Sequence, residues 1–102
     1  MPQFDIFANP GRSHEIAFLL QIQTTRLDAS RDRVVIPLTH IGSNPPPDHG
    51  LTPHFIVLDQ AVYADPLNLV TIQRSRLGPA LAILPEADQD RIITAIDELI
   101  AR

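Results

Sequence analysis

Three of the chain's four histidines, His40, His49 and His54, gather around the run Ser43-Asn44-Pro45-Pro46-Pro47-Asp48, with Asp48 beside them. A zinc site needs donors converging at about 2 Å, oriented by further hydrogen bonds and often announced by short spacing. Spacings of nine and five residues across a proline-rich loop match no such pattern. Solvated histidines are therefore expected, with no metal and no other cofactor. Ser13-His14-Glu15 holds the residue types of a nucleophile, base and orienting acid, but adjacent strand residues point to opposite faces, and such triads assemble in space. A polar turn after Asn9-Pro10-Gly11 is the expected state. Arg74 and Arg76, with Ser75 between them, form the nearest approach to a basic patch. Arginine and a hydroxyl can stabilise phosphoryl charge, so Arg74 or Arg33 would serve a ribonuclease; the competing expectation is arginines on the solvated face of a strand. Only 4 glycines are present, and none builds a phosphate loop. No catalytic residue is expected.

The elements that would position these groups read as short strands and one helix. Gln3 to Ala8 alternates Phe4, Ile6 and Ala8 against Gln3, Asp5 and Phe7, the period of a strand. Ile16 to Thr25 reads as a central strand, sandwiched in its first half and exposed on one side in its second. A polar Ala29-Ser30-Arg31-Asp32 turn leads into Val34 to Leu38, giving a hairpin signal, and Pro37 puts the end of that strand at an edge or bulge. Thr39 to Gly50 reads as an extended surface loop with polyproline character, mobile and dispensable for folding. Thr52 to Leu58 resumes a strand, Asp59-Gln60 suggests a hairpin turn into Ala61-Val62-Tyr63, and Asn68 to Gln73 and Ala80 to Leu84 are two more short apolar stretches. Pro85-Glu86 opens the one clear helix, with Glu86, Asp88 and Asp90 complementing its positive end. Ile92, Ile93, Ala95, Ile96, Leu99 and Ile100 form an apolar stripe wide enough to serve the sheet and a partner.

Composition sets outer bounds. A chain of 102 residues, 44% apolar and 20% charged, is expected to fold as a single domain over residues 1–102. Without cysteine there is neither a disulfide framework nor a thiolate site. No apolar run approaches the ~20 residues of a membrane helix and no basic leader precedes the first strand, so the cytoplasm is the expected location and no membrane partner is expected. Net charge is −4, and all 8 basic residues are arginine. An acidic chain is poorly suited to counterion-driven phosphate binding, so direct nucleic-acid binding is not expected. Strands followed by one terminal amphipathic helix describe a mainly antiparallel β domain with a helix laid on it.

The stretch Phe18 to Leu38, FLLQIQTTRLDASRDRVVIPL, together with the opening Pro2-Gln3-Phe4-Asp5-Ile6-Phe7 and the final helix, resembles the CcdB toxins of bacterial toxin–antitoxin modules, which poison DNA gyrase. The resemblance spans nearly the whole chain. It implies a small five-stranded antiparallel sheet with a β wing and a C-terminal helix, an SH3-like barrel of the type shared with the MazF and Kid ribonuclease toxins. It also implies a homodimer, a CcdA-like antitoxin partner, a role in plasmid maintenance, and a poison that is a binding surface for the gyrase A subunit rather than a catalytic site.

By this resemblance the gyrase-binding residues are Arg26, Leu27, Asp97, Ile100, Ala101 and Arg102. Aligning Ala95-Ile96-Asp97 with the family's Ala-Ile-Asn or Ala-Leu-Asp puts Ala101 where the family has an aromatic or bulky apolar residue and Arg102 where it has glycine. The family's final aliphatic residue is absent. An aromatic ring on a partner's arginine provides about 0.5 to 2 kcal/mol, which a methyl group does not replace, and Arg102 brings one positive charge per chain toward a two-fold axis. Weak or absent gyrase poisoning is expected. Two other readings stand beside it: a CcdB-fold protein that has lost poisoning and serves as an antitoxin-binding or decoy module, and a MazF-like endoribonuclease.

Overall fold

In the computed structural model, which describes residues 3–101, hydrophobic alternation sorts the strands into two apolar faces. The chain runs β1 (Asp5–Ala8), β2 (Ile16–Gln21), β3 (Asp32–His40), β4 (His54–Val57), β5 (Gln60–Ala64), β6 (Val70–Gln73), β7 (Ala82–Ile83) and α1 (Glu86–Ile100). All pairings are antiparallel, in the order β4-β5-β3-β2-β1-β7, with β6 added to β3. The sheet curls into a half-barrel with α1 at the C-terminal end. The mainly β class with a terminal helix is as expected; among the described residues β6 and the two-residue β7 bring the strand number to seven.

One face supplies Phe4, Ile6, Phe18, Leu20, Ile36, Leu38, Phe55, Val57, Val62 and Ala64 to the main core, joined by Leu84 and by Ile92 from α1. The alternate positions Phe7, Leu19 and Val35 pack with Leu77 in a second cluster, flanked by Ile16 and Ile72. Burying a side chain of this size contributes roughly 1.5 to 3 kcal/mol before ordering costs. Within β2, Phe18 to Gln21 are buried, while Ile16 and Ala17 are only half-buried. The reason is neighbourhood, since the start of β2 adjoins the exposed segment 11–15 and its end lies in the middle of the sheet.

Pro37 does not end its strand. It lies within β3 opposite Leu19, and its carbonyl accepts a 3.2 Å bond from the Asp65 amide. On that side β3 pairs with β6 through Asp32 to Val35 and with β5 through Leu38 to His40, so proline occupies the gap between two partners. The β4–β5 turn is also displaced by one residue. Val57 pairs with Gln60, leaving Leu58 (φ 47°) and Asp59 (φ 66°) as a two-residue turn with both central residues left-handed, the type I′ pattern.

Pro85 is the N-cap of α1, Glu86 and Asp88 occupy its first turn, and Gln89 Nε2 donates to Leu84 O at 2.7 Å. Ile92 and Ala95 are buried and Ile96 and Leu99 half-buried, whereas Ile93 (45% exposed) and Ile100 (72% exposed) face outward. The stripe thus exceeds what the sheet covers.

Candidate functional site

The last turn of α1 presents Asp97, Ile100 and Ala101 on the surface. These residues stand at i, i+3 and i+4, the spacing that makes neighbours on a helix. Ala101 is the C-cap, extended at φ −65° and ψ 148°, with its amide donating to Glu98 O at 3.4 Å. The chain therefore leaves the helix axis at Ala101. Arg102 lies outside the described residues.

Arg26 and Leu27 sit elsewhere, on the one-turn 3₁₀ helix Thr25–Leu27 inside the β2–β3 connection. Thr24 starts it, its hydroxyl accepting the Arg26 amide at 3.3 Å. Both residues are exposed, Leu27 by 55%. The connection is longer than the short turn expected, because β2 stops at Gln21 and the chain turns away after the bond from Ile22 N to Val34 O. Among the described residues, no hydrogen bond or ion pair joins this group to the helix end. The expected partner-facing residues form two exposed patches on different elements of the fold.

Two buried polar side chains underlie the first patch. Gln23 Nε2 donates to the carbonyls of Leu27 and Asp32, both at 3.2 Å, and its Oε1 accepts the Val34 amide at 3.1 Å. Arg33, 1% exposed, donates through one terminal nitrogen to Ser30 O (2.6 Å) and Asp32 O (2.9 Å) and through the other to Asp28 O (2.9 Å). Arg33 is thus neither on a solvated face nor available to a phosphate. Its burial has no local sequence signal, since its partners are main-chain carbonyls that any sequence would supply.

Arg74, Ser75 and Arg76 form another one-turn 3₁₀ helix rather than the face of a strand, because the Leu77 amide closes the turn on Arg74 O at 3.0 Å. Arg74 and Ser75 border a polar cleft of about 510 Å³ with Arg31, Asp32 and Gln73. The two guanidinium groups favour an anion there, and Asp32 offsets part of that charge. Ser13, His14 and Glu15 are exposed in the β1–β2 connection, where the Asn9 side chain accepts from Gly11 N and donates to Ser13 O. This is the polar turn that the residues suggest.

The end of the proline loop, Pro46 to Asp48, is hydrogen-bonded to its surroundings, whereas the sequence suggests a mobile, dispensable segment. Asp48 Oδ1 accepts from His54 N at 3.0 Å and from an Arg91 guanidinium nitrogen at 2.9 Å, while His54 Nε2 meets Pro46 O at 2.8 Å. Arg91 also donates to His54 O at 2.9 Å, lies 4.7 Å from the centre of the Phe55 ring and pairs with Asp88 at 3.7 Å. The His54 amide, followed by the Arg91 charge, holds the Asp48 carboxyl below the usual carboxylate range. The His49 ring accepts the Leu51 amide at 3.1 Å, so these histidines serve the loop's own geometry. Among the described residues no three of His, Cys, Asp and Glu converge as a metal site, and no helix is long and apolar enough to cross a membrane.

A comparison with curated protein sequences finds no match. Among solved structures, an endoribonuclease in complex with its cognate antitoxin, from a mycobacterial species, is similar in fold. Its TM-score is 0.76 at 17% identity, over 96% of this chain and 92% of that one. The family model described as CcdB protein matches residues 3–101, from the first strand to the helix's C-cap. The chain belongs to the CcdB family.

Proposed function

We propose that this chain is the toxin of a type II toxin–antitoxin module, that it acts as a homodimer by binding the gyrase A subunit rather than by catalysis, and that a CcdA-like antitoxin neutralises it in the cytoplasm. The observation that carries the proposal is the uncovered end of α1, where Ile100 is 72% exposed beside Asp97 and Ala101 although the stripe it continues is buried at Ile92 and Ala95 and half-buried at Ile96. An apolar side chain held on a rigid helix end suits an anchor that becomes buried in a partner. Family membership supports the gyrase A subunit as that partner, and Arg26 with Leu27 would provide a second contact. The similar endoribonuclease–antitoxin complex supports an antitoxin partner for a protein of this fold.

Supercoiling and DNA-cleavage assays with purified gyrase test the proposal beside an RNA-cleavage assay. Weak gyrase inhibition, strengthened by a family-type tail and lost with Ile100→Asp, is the expected result. RNA cleavage by the wild-type chain that is lost in Arg74→Ala would replace this proposal with the ribonuclease reading.

A further inference from the structure

The 3₁₀ turn that carries Arg26 and Leu27 buries none of its own residues. A surface segment without an apolar anchor ordinarily samples many conformations. Here the carbonyls of Leu27, Asp28, Ser30 and Asp32 are instead gathered from beneath by Gln23 and Arg33. Both side chains are buried, and they flank the segment in sequence, one just before it and the other just after it. Gln23 additionally ties the segment to the sheet through Val34 N. Arg33 presents a planar fork of donors, so it addresses three carbonyls at once.

We infer that Gln23 and Arg33 are positioning residues that hold the 24–32 segment in one conformation, so that Leu27 and Arg26 meet a protein partner already ordered. Most of the ordering entropy is then spent in folding rather than in binding, which lowers the cost of association. The inference rests on the gyrase-binding proposal for the identity of the partner. The clamp itself is a property of the free chain.

Two variants test it. Gln23→Glu keeps the acceptor for Val34 N but, when ionised, turns a carboxylate toward the Leu27 and Asp32 carbonyls; protonation at low pH restores a donor. Arg33→Lys keeps the charge and loses the fork. Amide hydrogen exchange in the free proteins is expected to show protection across 24–32 falling about tenfold or more while β2 and β3 are unchanged, with partial recovery of Gln23→Glu as the pH is lowered. Gyrase A binding, measured by surface plasmon resonance on the same chains bearing a family-type tail, is expected to weaken by a similar factor, mainly through faster dissociation.

Unchanged exchange in 24–32 in either variant that folds overturns the clamp. Loosened exchange with unchanged gyrase affinity overturns the positioning role. Absence of gyrase binding by the unmutated chains, with and without the family-type tail, overturns the gyrase reading instead, and the exchange measurement still decides the clamp. Binding lost in the variants together with a collapse of protection in β2 and β3 would show a merely structural role, which also overturns the inference.

Discussion

Arg91 and Asp48, 43 residues apart in sequence, meet at 2.9 Å across the seam between α1 and the proline loop. The pair is partly exposed, and an isolated ion pair of that kind contributes little. Its importance lies in what Arg91 does at the same time, binding the His54 carbonyl and lying over the Phe55 ring.

Acid should loosen this seam. The folded chain keeps the Asp48 carboxyl ionised at lower pH than the unfolded chain does, so its stabilisation is complete above the unfolded value of about 3.9 and is lost as pH falls through the lower folded value. Thermal melts of the wild type and of Asp48→Asn should converge as the pH is lowered below about 4. Curves that stay parallel down to pH 2 would show that Asp48 carries no such linkage.

Deleting Asn44 to Asp48 should lower the melting temperature by about 5 °C or more, because it removes the partners of His54 N, of the His54 ring and of one Arg91 nitrogen together. A change within 2 °C, by scanning calorimetry, would restore the picture of a dispensable loop.

The β4–β5 turn offers the opposite experiment. Leu58 and Asp59 both adopt positive φ, which costs a leucine more than asparagine and an aspartate more than glycine. Replacing them as Leu58→Asn with Asp59→Gly supplies the preferred type I′ pair and should stabilise the chain by about 1 kcal/mol, read as a shift of the denaturant midpoint at constant m-value.

Light scattering at micromolar concentration should report a dimer of the 11.3 kDa chain. Ile93→Asp should shift it toward monomer while leaving the helix content intact, since this side chain is 45% exposed in the single chain. A monomeric wild type would show that the outer part of the stripe has another use.

Gyrase binding should respond to the tail. Ala101→Trp and Arg102→Gly with an added terminal isoleucine restore an aromatic ring and remove one positive charge per chain. Calorimetry with the gyrase A subunit should show a gain of roughly 2 kcal/mol, about thirtyfold. Tight binding by the natural tail, or no gain after the change, would place the determinant elsewhere.

The strand faces and the helix were legible because periodicity is a local signal. Phe4, Ile6 and Phe7 divide between two cores, and Pro85 stands at the start of α1. What escaped the sequence depends on partners remote along the chain or on carbonyls that carry no sequence signature. Arg91 pins a loop 43 residues earlier, and Arg33 is buried by main-chain oxygens. Arg26, Leu27, Asp97, Ile100 and Ala101 are all exposed, but their placement on two separate elements could not be inferred from spacing alone.

Pro37 also bears on which sheets this chain can form by mistake. β3 shares one edge between two strands, an arrangement that invites either of them to slide along and claim the other's portion. A strand pairing across position 37 would find no N–H there to continue the ladder. A two-residue slip would preserve the inside–outside alternation, so hydrophobic patterning alone does not oppose it. The missing donor does, and proline thus acts as a boundary marker that protects each pairing from encroachment while the chain is assembling.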